Sequence, residues 1–108
     1  MTTPQRFHDL TVTRVNTEAA GAVALTLAVP AELQSTFAFE PGQFLTLRAV
    51  IAGQEVRRSY SICSARSKLS KLGELDVGIR PVNSGVFSNW AATQIKVGDR
   101  ISVMPPEG

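Results

Sequence analysis

The chain has 108 residues, 44% of them hydrophobic, and its 11 basic side chains against 9 acidic ones leave a formal net charge of +2. That is the size of a single domain, able to withdraw roughly 65% of its unfolded surface from water. The basic residues are scattered, not gathered into a block, which excludes an electrostatic case for a nucleic-acid partner. Cys63 is the only cysteine and His8 the only histidine, so an internal disulfide is impossible and no metal site is expected. No apolar run approaches the ~20 residues of a membrane span. No charged start, apolar middle and small-residue cleavage site opens the chain, so a cytoplasmic protein is expected.

Period-two alternation predicts six strands. The first is "DLTVTRV", around Leu10 and Val12. In "AVALTLAV", Val23, Leu25, Leu27 and Val29 share one face, and Ala22, Ala24, Thr26 and Ala28 the other. Pro30 then leads into "AELQS", long enough for one helical turn. After Pro41-Gly42, "QFLTLRAVI" sets Leu45, Leu47, Ala49 and Ile51 on one side. Ala52-Gly53 turns the chain into "EVRRSYSIC". "SKLSKLG" reads as a polar connection to "ELDVGIR", whose Leu75, Val77 and Ile79 alternate inward. "SNWAATQI" is the one short helix expected, with Ser88 as N-cap and Phe87, Ala91 and Ile95 at four-residue spacing. Val97-Gly98-Asp99 then introduces "RISVM", with Ile101 and Val103 inward. Six antiparallel strands in so short a chain predict an all-β barrel, closed or nearly so, because closure removes exposed strand edges. A barrel of this size has no internal void, so a ligand must lie on its surface or against a second domain.

Two stretches can carry chemistry. In "RRSYSICS", alternation puts Arg58, Tyr60 and Ile62 on one face and Arg57, Ser59, Ser61 and Cys63 on the other. A guanidinium roughly 7 Å along the strand from an aromatic ring suits a ligand with an anionic part and a flat part, gripped by the arginine and stacked on the tyrosine. By itself the stretch favours the plainer reading, a solvent-facing arginine beside a tyrosine at the core's edge. In "NSGVFSNW", a glycine turn opens a helix whose first N–H groups are free to meet phosphate; alone, this is a turn and a cap. Together the two stretches point to a phosphorylated aromatic cofactor.

These residues resemble a known family. "Arg58-Ser59-Tyr60-Ser61" resembles the R-x-Y-[ST] flavin signature of the ferredoxin–NADP reductase superfamily. "Pro41-Gly42-Gln43-Phe44" is similar to its P-G-Q-[YF] segment, "Gly85-Val86-Phe87-Ser88" to its pyrophosphate-binding G-x-x-[ST], and "Val97-Gly98-Asp99" to the turn before its last barrel strand. Within the superfamily the likeness is to the NADH-linked reductases of phenylacetyl-CoA epoxidase systems. The resemblance implies a six-stranded antiparallel Greek-key barrel, residues 1–108, that binds FAD in preference to FMN. It implies Arg58 on the pyrophosphate, Tyr60 on the isoalloxazine, Ser61 near flavin N5 as the one residue with a catalytic role, and Ser59 within the signature. Ile79 and Arg80 fall on strand positions that line the cofactor, and Gly85, Val86, Phe87 and Ser88 on the pyrophosphate loop. Ser84 departs from the pattern, standing where relatives often carry a second glycine. Strict alternation also turns Ser61 away from Tyr60, so it reaches N5 only across a strand end or a bend.

The resemblance further implies a larger reductase, in which an NAD(P)H-binding domain and a plant-type ferredoxin domain with a [2Fe-2S] cluster pass electrons to an oxygenase component. The chain contains neither the strand–Gly-rich loop–helix unit for NAD(P)H nor the cysteine set for a cluster. It is therefore expected to be the flavin domain of that enzyme, inactive with NAD(P)H alone. The competing reading is a cofactor-free barrel that binds protein or nucleic acid, which would need several exposed aromatics along a basic track. One Tyr, one Trp and five Phe, most at core-like positions, do not supply it.

Overall fold

The computed structural model describes residues 7–17, 22–80, 90–91 and 93–108. Six strands form where alternation places them: β1 (His8–Thr17), β2 (Val23–Ala28), β3 (Phe44–Ile51), β4 (Gln54–Ser61), β5 (Glu74–Ile79) and β6 (Arg100–Val103). They make one antiparallel sheet in the order β4-β3-β6-β1-β2-β5, with the last strand inserted between the first and third in Greek-key fashion. The sheet curls into a half-barrel. Its edge strands β4 and β5 approach at one end, where Ile62 and Val77 form an isolated bridge.

The inward residues are those with the right parity. Leu10, Val12, Leu25, Leu27, Leu45, Leu47, Leu75, Val77 and Val103 are fully buried, joined by Val23, Ile79 and Ile101. Phe37 and Phe39, from the segment after the 3₁₀ turn Ala31–Leu33, plug the interior from one end. β1 carries a bulge between Val12 and Arg14. There the Thr13 hydroxyl lies 3.2 Å from Glu74 Oε2 and 3.4 Å from the Thr26 carbonyl.

One expectation fails. "SKLSKLG" is not a polar connection but contains most of a helix, α1 (Arg66–Leu72). Ala65 gives it no side-chain cap, and seven residues are too few to persist unaided. Tertiary contacts hold it instead. Leu69 is buried against the sheet, and Gly73 closes the helix in the left-handed region (φ 67°) by donating its N–H to the Leu69 carbonyl. In the expected helix "SNWAATQI", Trp90, Ala91 and Thr93 are helical, and the Gln94 N–H donates to the Trp90 carbonyl at 2.8 Å. Its expected cap, Ser88, and Phe87 lie outside the described residues.

Candidate functional site

β3 and β4 form a hairpin whose two-residue turn, Ala52-Gly53, takes both residues to positive φ (51° and 80°), the geometry that matches the twist of paired strands. This turn sets the register: Leu47 faces Arg58, Leu45 faces Tyr60, Thr46 faces Ser59 and Phe44 faces Ser61. Directly opposed residues share a sheet face. Arg58 and Tyr60 therefore stand on the inner side with the two buried leucines. β4 is an edge strand, so that inner side opens outward: Arg58 is exposed, and Tyr60 is half-buried against the core. Burial raises the Tyr60 phenol above its ordinary 10, and the charge of Arg58 pulls it back down.

The neighbouring arginine is committed elsewhere. Arg57 donates from Nε to Glu55 Oε2 at 2.9 Å, and its guanidinium lies 5.0 Å from the Phe7 ring centroid. Arg48 covers the same ring at 3.9 Å and reaches Glu55 at 3.8 Å. Arg58 makes no ion pair among the described residues; one nitrogen, Nη1, donates to the Arg57 carbonyl at 2.7 Å. A guanidinium carries five N–H donors, so Arg58 keeps a forked set for an anion.

The strand changes partner just past Ser61. The Ile62 N–H donates to the Gln43 carbonyl at 3.2 Å, and the Cys63 N–H crosses to the Asp76 carbonyl of β5 at 2.9 Å. Ser61, the last residue of β4, is exposed and still pairs with Phe44, on the side opposite Tyr60. Gln43 pins the corner from below: Oε1 accepts the Glu40 N–H at 2.8 Å, and Nε2 donates to the Gly108 carbonyl at 3.3 Å. Phe44 pairs with Glu107 beside it, the two exchanging both backbone bonds at 2.9 and 3.0 Å.

A family model described as an oxidoreductase FAD-binding domain matches residues 9–108. The chain belongs to that family. It is 46% identical over 102 residues to a component of the 1,2-phenylacetyl-CoA epoxidase of Escherichia coli K12, covering 94% of this chain and 28% of that protein. It is 37% identical over 102 residues to the ferredoxin reductase component of 3-ketosteroid-9-alpha-monooxygenase from Rhodococcus rhodochrous, covering 92% of this chain and 28% of that one. The chain thus spans little more than a quarter of the length of these relatives. Its fold matches that of a ferredoxin NADP+ reductase from Neisseria gonorrhoeae with bound FAD and NADP, at a TM-score of 0.77 and 20% identity over 95% of this chain and 39% of that one.

The edge of β4 in this FAD-binding domain carries an arginine with donors to spare and a half-buried ring two residues from it. The sequence-derived residues divide. Arg58 and Tyr60 share the inner side of β4, and Ser61, at the end of that strand, falls on the other side. Counting back from the Ile62–Val77 bridge along β4 and forward along β5 sets Tyr60 level with Ile79, and Ser59 level with Arg80. Arg80 is exposed, but the Ile79 side chain is only 1% exposed and belongs to the core, leaving its backbone alone to face a ligand. Ser59 faces the opposite side of the sheet and lies 3.0 Å from the Thr46 hydroxyl. Gly85, Val86, Phe87 and Ser88 lie outside the described residues. Gln43 reads in sequence only as part of a turn, and its place in the P-G-Q-F segment is the one signal that marks it.

Proposed function

We propose that the chain is the flavin module of an NAD(P)H-dependent reductase that sends electrons through an iron–sulfur centre to an oxygenase such as the phenylacetyl-CoA epoxidase. One observation carries the reading. Arg58, free of any carboxylate among the described residues, stands beside Tyr60 on the open edge of β4. The names of the two relatives, an epoxidase component and a monooxygenase reductase component, support the oxygenase link. When bound, the cofactor supplies an acceptor for hydride from a nicotinamide and a source of single electrons.

The chain's own residues hold and orient. Arg58 would hold the pyrophosphate with its remaining N–H donors, and Tyr60 would pack its core-braced ring on the isoalloxazine. Ser61, at the end of β4, would be the residue near flavin N5. Arg80 would line the cofactor, and residues 85–88 would supply the further pyrophosphate contacts. The arginine–phosphate contact contributes about 1.5–3 kcal/mol and the stack about 0.5–1.5, against the roughly 12 of nanomolar binding. An NAD(P)H-binding domain and a ferredoxin domain of the same parent enzyme supply the rest of the enclosure. Among the described residues no helix is long and apolar enough to cross a membrane, and the proposed setting is the cytoplasm.

The test is an absorbance titration of the purified chain with FAD. Uptake should shift and sharpen the visible flavin bands. A chain that leaves the spectrum of added FAD unchanged at near-millimolar protein overturns the site.

A further inference from the structure

The crossing that follows Ser61 is held by a residue outside the motif. Asp76, in β5, accepts the Cys63 N–H on its carbonyl at 2.9 Å and donates its own N–H to Ser64 Oγ at 2.9 Å. Its carboxylate accepts Lys68 Nζ on both oxygens, at 2.9 and 2.8 Å, and the Thr26 hydroxyl on Oδ1 at 2.6 Å. Thr26 is only 3% exposed, and the side chains of Lys68 and Asp76 are 24% and 21% exposed. One residue of β5 therefore ties together helix α1 and strand β2 through its carboxylate and the four-residue crossing, residues 61–64, through its backbone.

A largely buried ion pair adds little net stability, because desolvation offsets most of the attraction; its established use is to fix one geometry over others. Here the geometry fixed is specific. α1 is short and uncapped at its start, and its first turn meets β5 through Lys68. The backbone between that turn and Ser61 spans only Ile62 to Ala65, and two of those residues bond Asp76 directly. A shift of Asp76 is transmitted to Ser61 over two or three peptide units.

We propose that the Lys68–Asp76 pair positions the flavin site, locking the crossing against β5 and so setting where Ser61 and Tyr60 stand. The inference rests on the reading that the flavin lies at the β4 corner. It makes α1 a part of the site without requiring contact with the cofactor.

The test compares Lys68→Met, Lys68→Arg and Asp76→Asn with the unaltered chain by amide hydrogen exchange, FAD titration and visible absorbance. Lys68→Met and Asp76→Asn should speed exchange at the Ile62 and Cys63 amides about tenfold relative to Leu25 in β2, reflecting local opening. Both should raise the FAD dissociation constant about fivefold, the scale of one ordinary hydrogen bond, and blur the flavin band structure. Lys68→Arg should restore all three. If Lys68→Met lowers the melting temperature yet leaves exchange, affinity and band shape unchanged, the pair merely braces α1 and the proposal is wrong. An unaltered chain that takes up no FAD is a different failure: it removes the flavin reading and, with it, the site the pair would position.

Discussion

Arg58 and Tyr60 stand two residues apart on the inner side of β4, each directly across from a fully buried leucine of β3, Leu47 and Leu45. An interior register position at an open edge is where a charge and a ring can be braced by the core and still meet a ligand. An inward-facing charge also blunts a strand edge against pairing with another chain, and substitution separates the two roles.

Arg58→Ala should weaken FAD uptake about 10- to 100-fold, the equivalent of a lost charged contact of ~1.5–3 kcal/mol. Arg57→Ala is the internal control. Its guanidinium is committed to Glu55 and Phe7, so FAD affinity should stay within about twofold, as expected for an exposed pair. Equal losses in the two variants would remove Arg58 from the phosphate role.

Tyr60 is the only tyrosine, so phenolate absorbance follows it alone. In the folded chain it should titrate above 10, because burial disfavours the phenolate. At pH values between the unfolded and folded pKa, the native state keeps a proton that the unfolded chain has lost. The associated stability is therefore fully present below pH ~10 and is lost as pH rises through the folded value. Arg58→Ala should move the transition higher still, since Arg58 lowers it. A downward move would show that the two side chains do not face each other.

Gly73→Ala tests what holds α1. The residue sits at φ 67°, and a Cβ there would come within 3.2 Å of the Val29 carbonyl oxygen and of Gln34 Nε2. The left-handed conformation alone costs a non-glycine residue about 1–2 kcal/mol. Thermal unfolding should shift down by roughly 4–8 °C per kcal/mol. An unchanged midpoint would mean that the helix end relaxes freely.

Ser61→Ala, made in the intact reductase, should slow flavin reduction by NAD(P)H about two- to tenfold, the effect of one neutral hydrogen bond. FAD affinity should be nearly unchanged. Rapid-reaction absorbance measures both, and an unaltered reduction rate would take Ser61 out of the chemistry.

Alternation made the six strands and their inward residues legible, because each buried face repeats every second position. The R-x-Y-[ST] stretch likewise showed Arg58 and Tyr60 on one side. Helix α1 was hidden because its seven residues bury only Leu69, follow no N-capping side chain, and depend on Lys68 meeting a partner eight positions ahead in the chain. Ser61's two-sided problem had no answer from periodicity either. In the structure Ser61 stays on the side opposite Tyr60, across from Phe44, and the change of strand partner from Gln43 to Asp76, a tertiary event, begins only after it. Asp76 was illegible because its partners, Cys63, Ser64, Lys68 and Thr26, are brought to it by the fold and not by neighbouring positions in the sequence.

Thr13 has a consequence out of proportion to its size. Val12 faces Leu27 and Val15 faces Leu25, both inward, although three positions separate them and strict alternation would put them on opposite sides. The extra residue resets the count, so that β1 keeps both apolar rows inside while it pairs with β6 before the bulge and with β2 on both sides of it. Deleting Thr13 would close the count to strict alternation, with Val12 and Val15 still inside and Arg14 still outside, and would remove only the kink that the bulge puts into β1.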